Sequence, residues 1–237
     1  MSKSLAVPQS EGETPLHGFQ GDRRPVEAST FPLGPAIAIS REVGARGGAI
    51  ARRLGAKLGW QVIDSDMLEY SAQDPTACAS LLAELPPEAP AWIDERMRWL
   101  QQHHVVTADA SFEREARLIL TLGAHGAVIF VGRGAGFLLP RESTLHARMI
   151  APQEDRISYM TQLLRLSREQ AAEYVRQREG ERAEFLESCF QLPVDGIVYD
   201  VILNSSALGE ELCADLIIQA ANGKCGKLRT GPDENYA

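Results

Sequence analysis

The stretch AIAISREVGARGGAIARRLGAKLGW, residues 36–60, constrains the fold more than any other. A short apolar run enters a glycine-rich turn, and the turn opens an amphipathic helix. Ile50, Leu54 and Leu58 share one helical face, and Arg52, Arg53 and Lys57 take the other. In this layout backbone N–H groups and the helix dipole gather around a phosphate. Gly44, Gly47 and Gly48 allow positive φ and close backbone approach, with Ala45 and Arg46 between them. Ser40 and Arg41, at the strand end, can also reach a bound anion. Aligned on Gly44, a Walker pattern wants lysine near Gly47 and a hydroxyl near Ala49, and neither is present. Arg46 is the nearest replacement charge. The alternative is a strand–turn–helix junction that binds nothing.

The rest of the chain limits what such a loop can serve. At 237 residues, length favours one domain, and a net charge of -8 provides no basic field for a nucleic-acid polymer. Local arginines can still bind a small anion. Cys78, Cys189, Cys213 and Cys225 form no C-x-x-C pair and read as thiols of a reducing cytoplasm. The histidines form no metal-binding pattern, so no protein-built metal site is expected. No apolar run approaches the ~18 residues of a membrane span and no leader is evident, which implies a cytoplasmic protein without a membrane partner. Residues 1–33 and 223–237 lack periodicity and read as disordered, leaving a folded unit over 34–222.

Within that unit β-type runs alternate with helical ones: AIAI at Ala36, QVID at Gln61, AVIFV at Ala127, LHARMI at Leu145 and VYDVIL at Val198. Several are apolar at consecutive positions, as strands covered on both faces are. The alternation predicts an α/β domain with a mostly parallel sheet. The spacing predicts a helix from Ala110 that stops on Gly123. Pro152 suits a first helical position, and SREQ at Ser167 predicts a capping box where two helices meet.

Five blocks carry a resemblance: ISREVGARGGAIARRLGAKLGWQVIDSDMLEY, VIFVGRGAGFLLP, LHARMIAPQEDRI, REGERAEF and YDVILNSSALGEELCADLI. They resemble the cytidylate-kinase-like family of bacterial P-loop proteins over most of residues 36–221. That family carries S-R-E-x-G-[SA]-x-G-G where a full Walker sequence would stand, so the missing lysine is typical of the group. The resemblance implies a P-loop three-layer α/β/α sandwich with a five-stranded parallel sheet, a helical acceptor-binding insertion around 69–123 and a helical lid around 156–190.

The resemblance also implies roles. Asp64 stands where monophosphate kinases turn a carboxylate toward the acceptor, while Asp66 is given the cap of the next helix, although Asp64 could itself be that cap. Arg133, in the Gly-Arg block, would reach the acceptor phosphate with two parallel donors; its alternative is a surface ion pair. REGER resembles the family's R-D-x-x-R lid pattern, with Arg178 and Arg182 closing over the transferring group. Arg156 and Arg165 are second choices. Asp200 and Asn204 match polar positions of the last block, but such residues commonly fix a loop by hydrogen bonds. A dinucleotide fingerprint at GRGAG fails because Pro140 follows too soon for the long helix it requires.

The resulting expectation is a nucleoside monophosphate kinase-like enzyme using ATP and Mg²⁺, with small nucleotides as partners. Gly44, Ala45, Arg46, Gly47 and Gly48 would hold the donor, together with Ser40 and Arg41. Arg46, Arg178 and Arg182 would neutralise the transferring group, and Asp64 and Arg133 would hold the acceptor. The rival is a regulatory nucleotide-binding module of the same fold that has lost turnover. Neither oligomeric state nor acceptor identity has a signature in the sequence.

Overall fold

The computed structural model describes residues 32–107, 109–191 and 199–226. Its strands are β1 (Ala36–Arg41), β2 (Gln61–Asp64), β3 (Val128–Val131), β4 (Thr144–Ile150) and β5 (Val201–Asn204). Its helices are α1 (Gly47–Leu58), α2 (Ser65–Gln73), α3 (Pro75–Ala83), α4 (Ala89–Gln102), α5 (Ala110–His125), α6 (Ala135–Leu138), α7 (Gln153–Leu164), α8 (Arg168–Cys189) and α9 (Ser205–Cys225). The strands form one parallel sheet in the order β2-β3-β1-β4-β5. This is a P-loop α/β/α sandwich.

β3 is apolar at every position, and β1 from Ala36 to Ile39, because each face has a helical layer and successive side chains go to opposite layers. Ala36, Ala38, Val128 and Phe130 pack with Leu68 of α2, Ile93 and Met97 of α4, and Ile119 of α5. Ile37, Ile39, Ile129 and Val131 pack on the other side with Ile50 and Leu54 of α1 and Cys213 and Ile217 of α9. Phe130 and Ile37 are fully buried. Each side chain of that kind contributes ~1.5–3 kcal/mol by leaving water.

This topology fixes where a ligand can go. From β1 the chain passes to β2 and β3 on one side of β1 and reaches β4 on the other. Ligands of parallel sheets bind beyond the carboxyl ends of the strands at such a reversal, here beyond β1 and β3. Helices α2 to α5 lie between β2 and β3 in the chain. Helices α7 and α8 form a hairpin between β4 and β5, packed through Ile157, Met160, Ala171 and Val175 against Val43 of the glycine loop. The Ser167 capping box is present in full. At the far end of α8, Phe190 packs edge-on against Phe112 and Phe137, and its backbone bridges Val106.

Several boundaries differ from the sequence expectation. Helix α5 continues through Gly123 and stops at Gly126, whose φ is 71°. A Cβ at Gly123 would lie 2.2 Å from Leu139, so that glycine permits close packing and does not end the helix. Pro152 is the residue before α7 and not its first turn. Helix α9 runs to Cys225, three residues beyond the expected limit at 222. The expected disordered ends, 1–33 and 223–237, otherwise lie almost wholly outside the described residues. Asn204 caps α9 by accepting from the backbone N–H groups of Ser206 and Ala207, and Asp200 accepts from the His146 N–H; both fix local structure. Among the described residues no helix is long and apolar enough to cross a membrane.

Candidate active site

A cleft of about 550 Å³ opens beyond the carboxyl ends of β1 and β3, between the glycine loop, the start of α2, the turn after β3 and the helical hairpin. One end of it is the start of α1. Helices α2, α3, α5, α8 and α9 each begin with a side chain that accepts from the first turn; α1, which begins at Arg46 in the left-handed region, has no such cap, and neither have α4, α6 and α7. The first turn of α1 also holds no acidic residue. Its free N–H groups and positive dipole end therefore face the cleft and suit an anion.

The loop glycines have separate causes. A Cβ at Gly44, where φ is 84°, would come within 2.6 Å of the Arg156 carbonyl. A Cβ at Gly47 would collide with the Arg41 stem, 2.8 Å from Cβ and 2.9 Å from Cγ. Gly48 meets only the tip of Arg52 at 3.7 Å, so it is not sterically demanded.

Four arginines line the cleft without an ion-pair partner among the described residues: Arg41, Arg46, Arg52 and Arg182. Arg41 is largely buried, and burial followed by repulsion from Arg182 lowers its pKa to about 10, against the pull of Asp64 and Asp66. Arg182 donates to the Arg41 carbonyl at 3.2 Å, and burial pushes its pKa down as well. Arg46 places its guanidinium 5.0 Å from the centre of the Tyr159 ring on α7. Unpaired cations held partly out of water, as Arg41 and Arg182 are, are costly unless an anion joins them, so this end of the cleft suits one.

The opposite end is acidic. Asp64 accepts from the Met67 N–H at 3.0 Å and caps α2, so the cap expected of Asp66 belongs to Asp64. Both carboxylates line the cleft, with Glu69 beside them. Arg133 also lines it but is not free: Nη2 donates to Glu69 at 2.8 Å, and Nε lies 2.9 Å from Oε1 of buried Glu115. Neither Nε nor Oε1 makes a well-directed hydrogen bond despite that separation. The Arg133 guanidinium rests over Phe185, 4.7 Å from the ring centre. Burial raises the Glu115 pKa, and the Arg133 charge only partly opposes it.

The remaining expected residues divide. Gly44, Arg46, Gly47, Gly48, Asp64, Arg133, Arg178 and Arg182 all line the one cleft, as does Arg41. Arg178 pairs with Glu181 at 2.7 Å and lies by Tyr174. Ala45 is fully buried, and its carbonyl accepts from the Ser205 hydroxyl. Ser40 does not line the cleft; its hydroxyl lies 2.9 Å from Nε2 of His146, on the same face of the sheet. Arg156, a second choice for the lid, ties the hairpin to the loop: it donates to the carbonyls of Ala151 and Val43 and pairs with Glu42 and Glu179. Arg165 occupies the left-handed turn between α7 and α8. Sequence reasoning missed Arg52, which follows Gly48 by one helical turn, and Glu69, Glu115 and Phe185, which have no local signal. Arg46, the expected stand-in for the lysine, lines the cleft with its guanidinium by Tyr159.

Residues 36–207 match the family model described as the cytidylate kinase-like family. Among solved structures, an uncharacterized protein from Eubacterium ventriosum is similar at 18% identity and a TM-score of 0.57, covering 80% of this chain and 98% of that one. Shikimate kinase from Bacteroides thetaiotaomicron aligns at 14% identity with a TM-score of 0.39, covering 80% and 97%. No curated protein sequence matches the chain.

Proposed function

The chain belongs to the cytidylate kinase-like family, and from that premise we propose that it transfers the terminal phosphoryl group of magnesium-ATP to a nucleoside monophosphate or a comparable small phosphate acceptor. The observation that carries this reading is the division of one cleft. Unpaired Arg41, Arg46, Arg52 and Arg182 surround an uncapped helix start at one end, and Asp64, Asp66 and Arg133 stand at the other. Phosphoryl transfer needs positioning and charge neutralisation more than a covalent residue.

In the proposed reaction the donor phosphates lie on the N–H groups that begin α1. An acceptor phosphate oxygen attacks the terminal phosphorus while the bond to the bridging oxygen of ADP breaks. At neutral pH that attacking oxygen carries no proton, since the second phosphate pKa is about 6, and no base is required. Arg182 and Arg41 meet the charge spread over the transferring group, and the α7–α8 hairpin limits water as a competing acceptor. Arg133 keeps Glu115 at Nε and turns Nη2 to the acceptor. Glu69, largely exposed, holds that nitrogen only weakly and is displaced.

Magnesium accepts one or two carboxylates together with substrate phosphates, and it neutralises charge on the triphosphate. Asp64 and Asp66 face the cleft, and each has one oxygen outside its local hydrogen bond to Met67 or Ser65. These carboxylates fit the ion, while Ala49 offers it nothing.

A second reading, a nucleotide-binding module without turnover, is favoured by Gly47 and Ala49 at the lysine and hydroxyl positions. ADP production from magnesium-ATP across ribo- and deoxynucleoside monophosphates, with Arg182→Met as control, separates the two. Acceptor-dependent ADP that falls at least ~100-fold in the variant supports the kinase. ATP binding with no ADP from any acceptor supports the module and sinks the proposal.

A further inference from the structure

We infer that Arg41 performs the part of the missing loop lysine, its side chain occupying the space a lysine at position 47 would need and bringing the positive charge from the strand end instead of the helix start. This rests on the phosphoryl-transfer reading and assigns the donor charge within it. The Arg41 stem lies along Gly47, so close that a Cβ there would be 2.8 Å from Arg41 Cβ, 2.9 Å from Cγ and 3.5 Å from Cδ. The guanidinium ends beneath the turn after β3, where a Cβ at Gly132 would lie 2.0 Å from Nη1 and 3.1 Å from Cζ. Gly47 and Gly132 thus leave the space that this side chain fills. A lysine at 47 and an arginine at 41 exclude each other, which accounts physically for a loop that lacks the first and has the second.

The position of the charge fits the role. Arg41 lines the cleft, has no carboxylate partner among the described residues, and is influenced by Arg182, Asp64, Asp66 and Arg133, the groups that mark both ends of the site. Arg46, the other loop arginine, is drawn to Tyr159 at the hairpin. A buried structural arginine in a protein has an acceptor for its donors, as Arg156 has in two carbonyls and two carboxylates. Arg41 has like charge beside it. Its removal therefore weakens anion binding while relieving the ligand-free protein.

The test is a charge transplant. Wild type, Arg41→Gly, Gly47→Lys and Arg41→Gly/Gly47→Lys are titrated calorimetrically with magnesium-ATP and with tripolyphosphate, and their ligand-free melting is recorded. Arg41→Gly is expected to weaken both ligands by about 10–100-fold, the loss of a charged hydrogen-bonding group. Gly47→Lys alone destabilises the protein by overpacking, and the double variant recovers both melting and phosphate binding to within about 10-fold of wild type, because the stem that blocked the lysine is gone. An Arg41→Met variant, which keeps the stem, melts no lower than wild type.

Equal ATP and tripolyphosphate binding by wild type and Arg41→Gly overturns the inference and leaves the kinase reading intact. So does a double variant that folds and still fails to bind. Wild-type binding of tripolyphosphate without ATP, lost in Arg41→Gly, removes the nucleotide reading and retains the assignment of Arg41. Wild-type binding of neither overturns both.

Discussion

His146 gives the fold a pH limit whose size follows from its surroundings. It lies on β4, buried against Phe137 and Tyr199, and a Cβ at Gly136 would sit 2.5 Å from its ring. Nε2 is 2.9 Å from the Ser40 hydroxyl. Burial lowers its pKa from 6.5 to about 4; Asp200 opposes this, and Arg141, Lys224 and Arg148 add to it. The folded pKa is below the unfolded one, so the unfolded chain takes up a proton first as pH falls. The stabilisation is full above pH 6.5 and is lost as pH falls toward 4. At ~1.4 kcal/mol per pH unit the gap amounts to ~3 kcal/mol, of which ~2 kcal/mol is gone by about pH 5. Urea unfolding of wild type and His146→Gln at about pH 7.5, 6 and 5 measures this. The difference between the two proteins should shift by ~2 kcal/mol in favour of the variant between the ends of that range. Parallel stability curves would refute the reasoning, because both proteins share every other titrating group.

Two glycine substitutions should act in opposite directions. Gly134→Ala places a Cβ 2.1 Å from Phe190 at a φ of 66°, and should cost at least ~2 kcal/mol in chemical denaturation through backbone strain and displaced packing. Gly180→Ala, inside α8 with no atom within 4 Å of the added Cβ, should raise stability by ~0.5–1 kcal/mol in the same assay.

What was legible in the sequence was what is decided locally. The strand runs, the amphipathic α1 and the Ser167 cap each depend on residues within one or two turns, and all are found at or near their expected places. The stop of α5 was not legible, since Gly123 and Gly126 look alike until Leu139 packs on the first and the second turns the chain toward Gly34. The cap of α2 could belong to either Asp64 or Asp66 until the backbone entered the helix. Counting along the loop draws attention to Arg46, and nothing along it shows that the stem of Arg41, from the adjoining strand, lies against Gly47. The pairing of Arg133 with Glu69 and Glu115 joins residues distant in sequence, and no pattern around any one of them announces the other two.

The hairpin of α7 and α8 is held at both feet, by Arg156 at the glycine loop and by Phe190 among the aromatic rings. Between those feet the hairpin is a lever whose far end is the turn at Ser167. Arg182 is ~12 Å along the helix from Phe190, and Arg168 is ~33 Å from it. Any rotation about the fixed foot moves Arg182 only about a third as far as the tip. The lever arm thus leaves Arg182, which donates to the Arg41 carbonyl, as the arginine of α8 least sensitive to the angle of the hairpin.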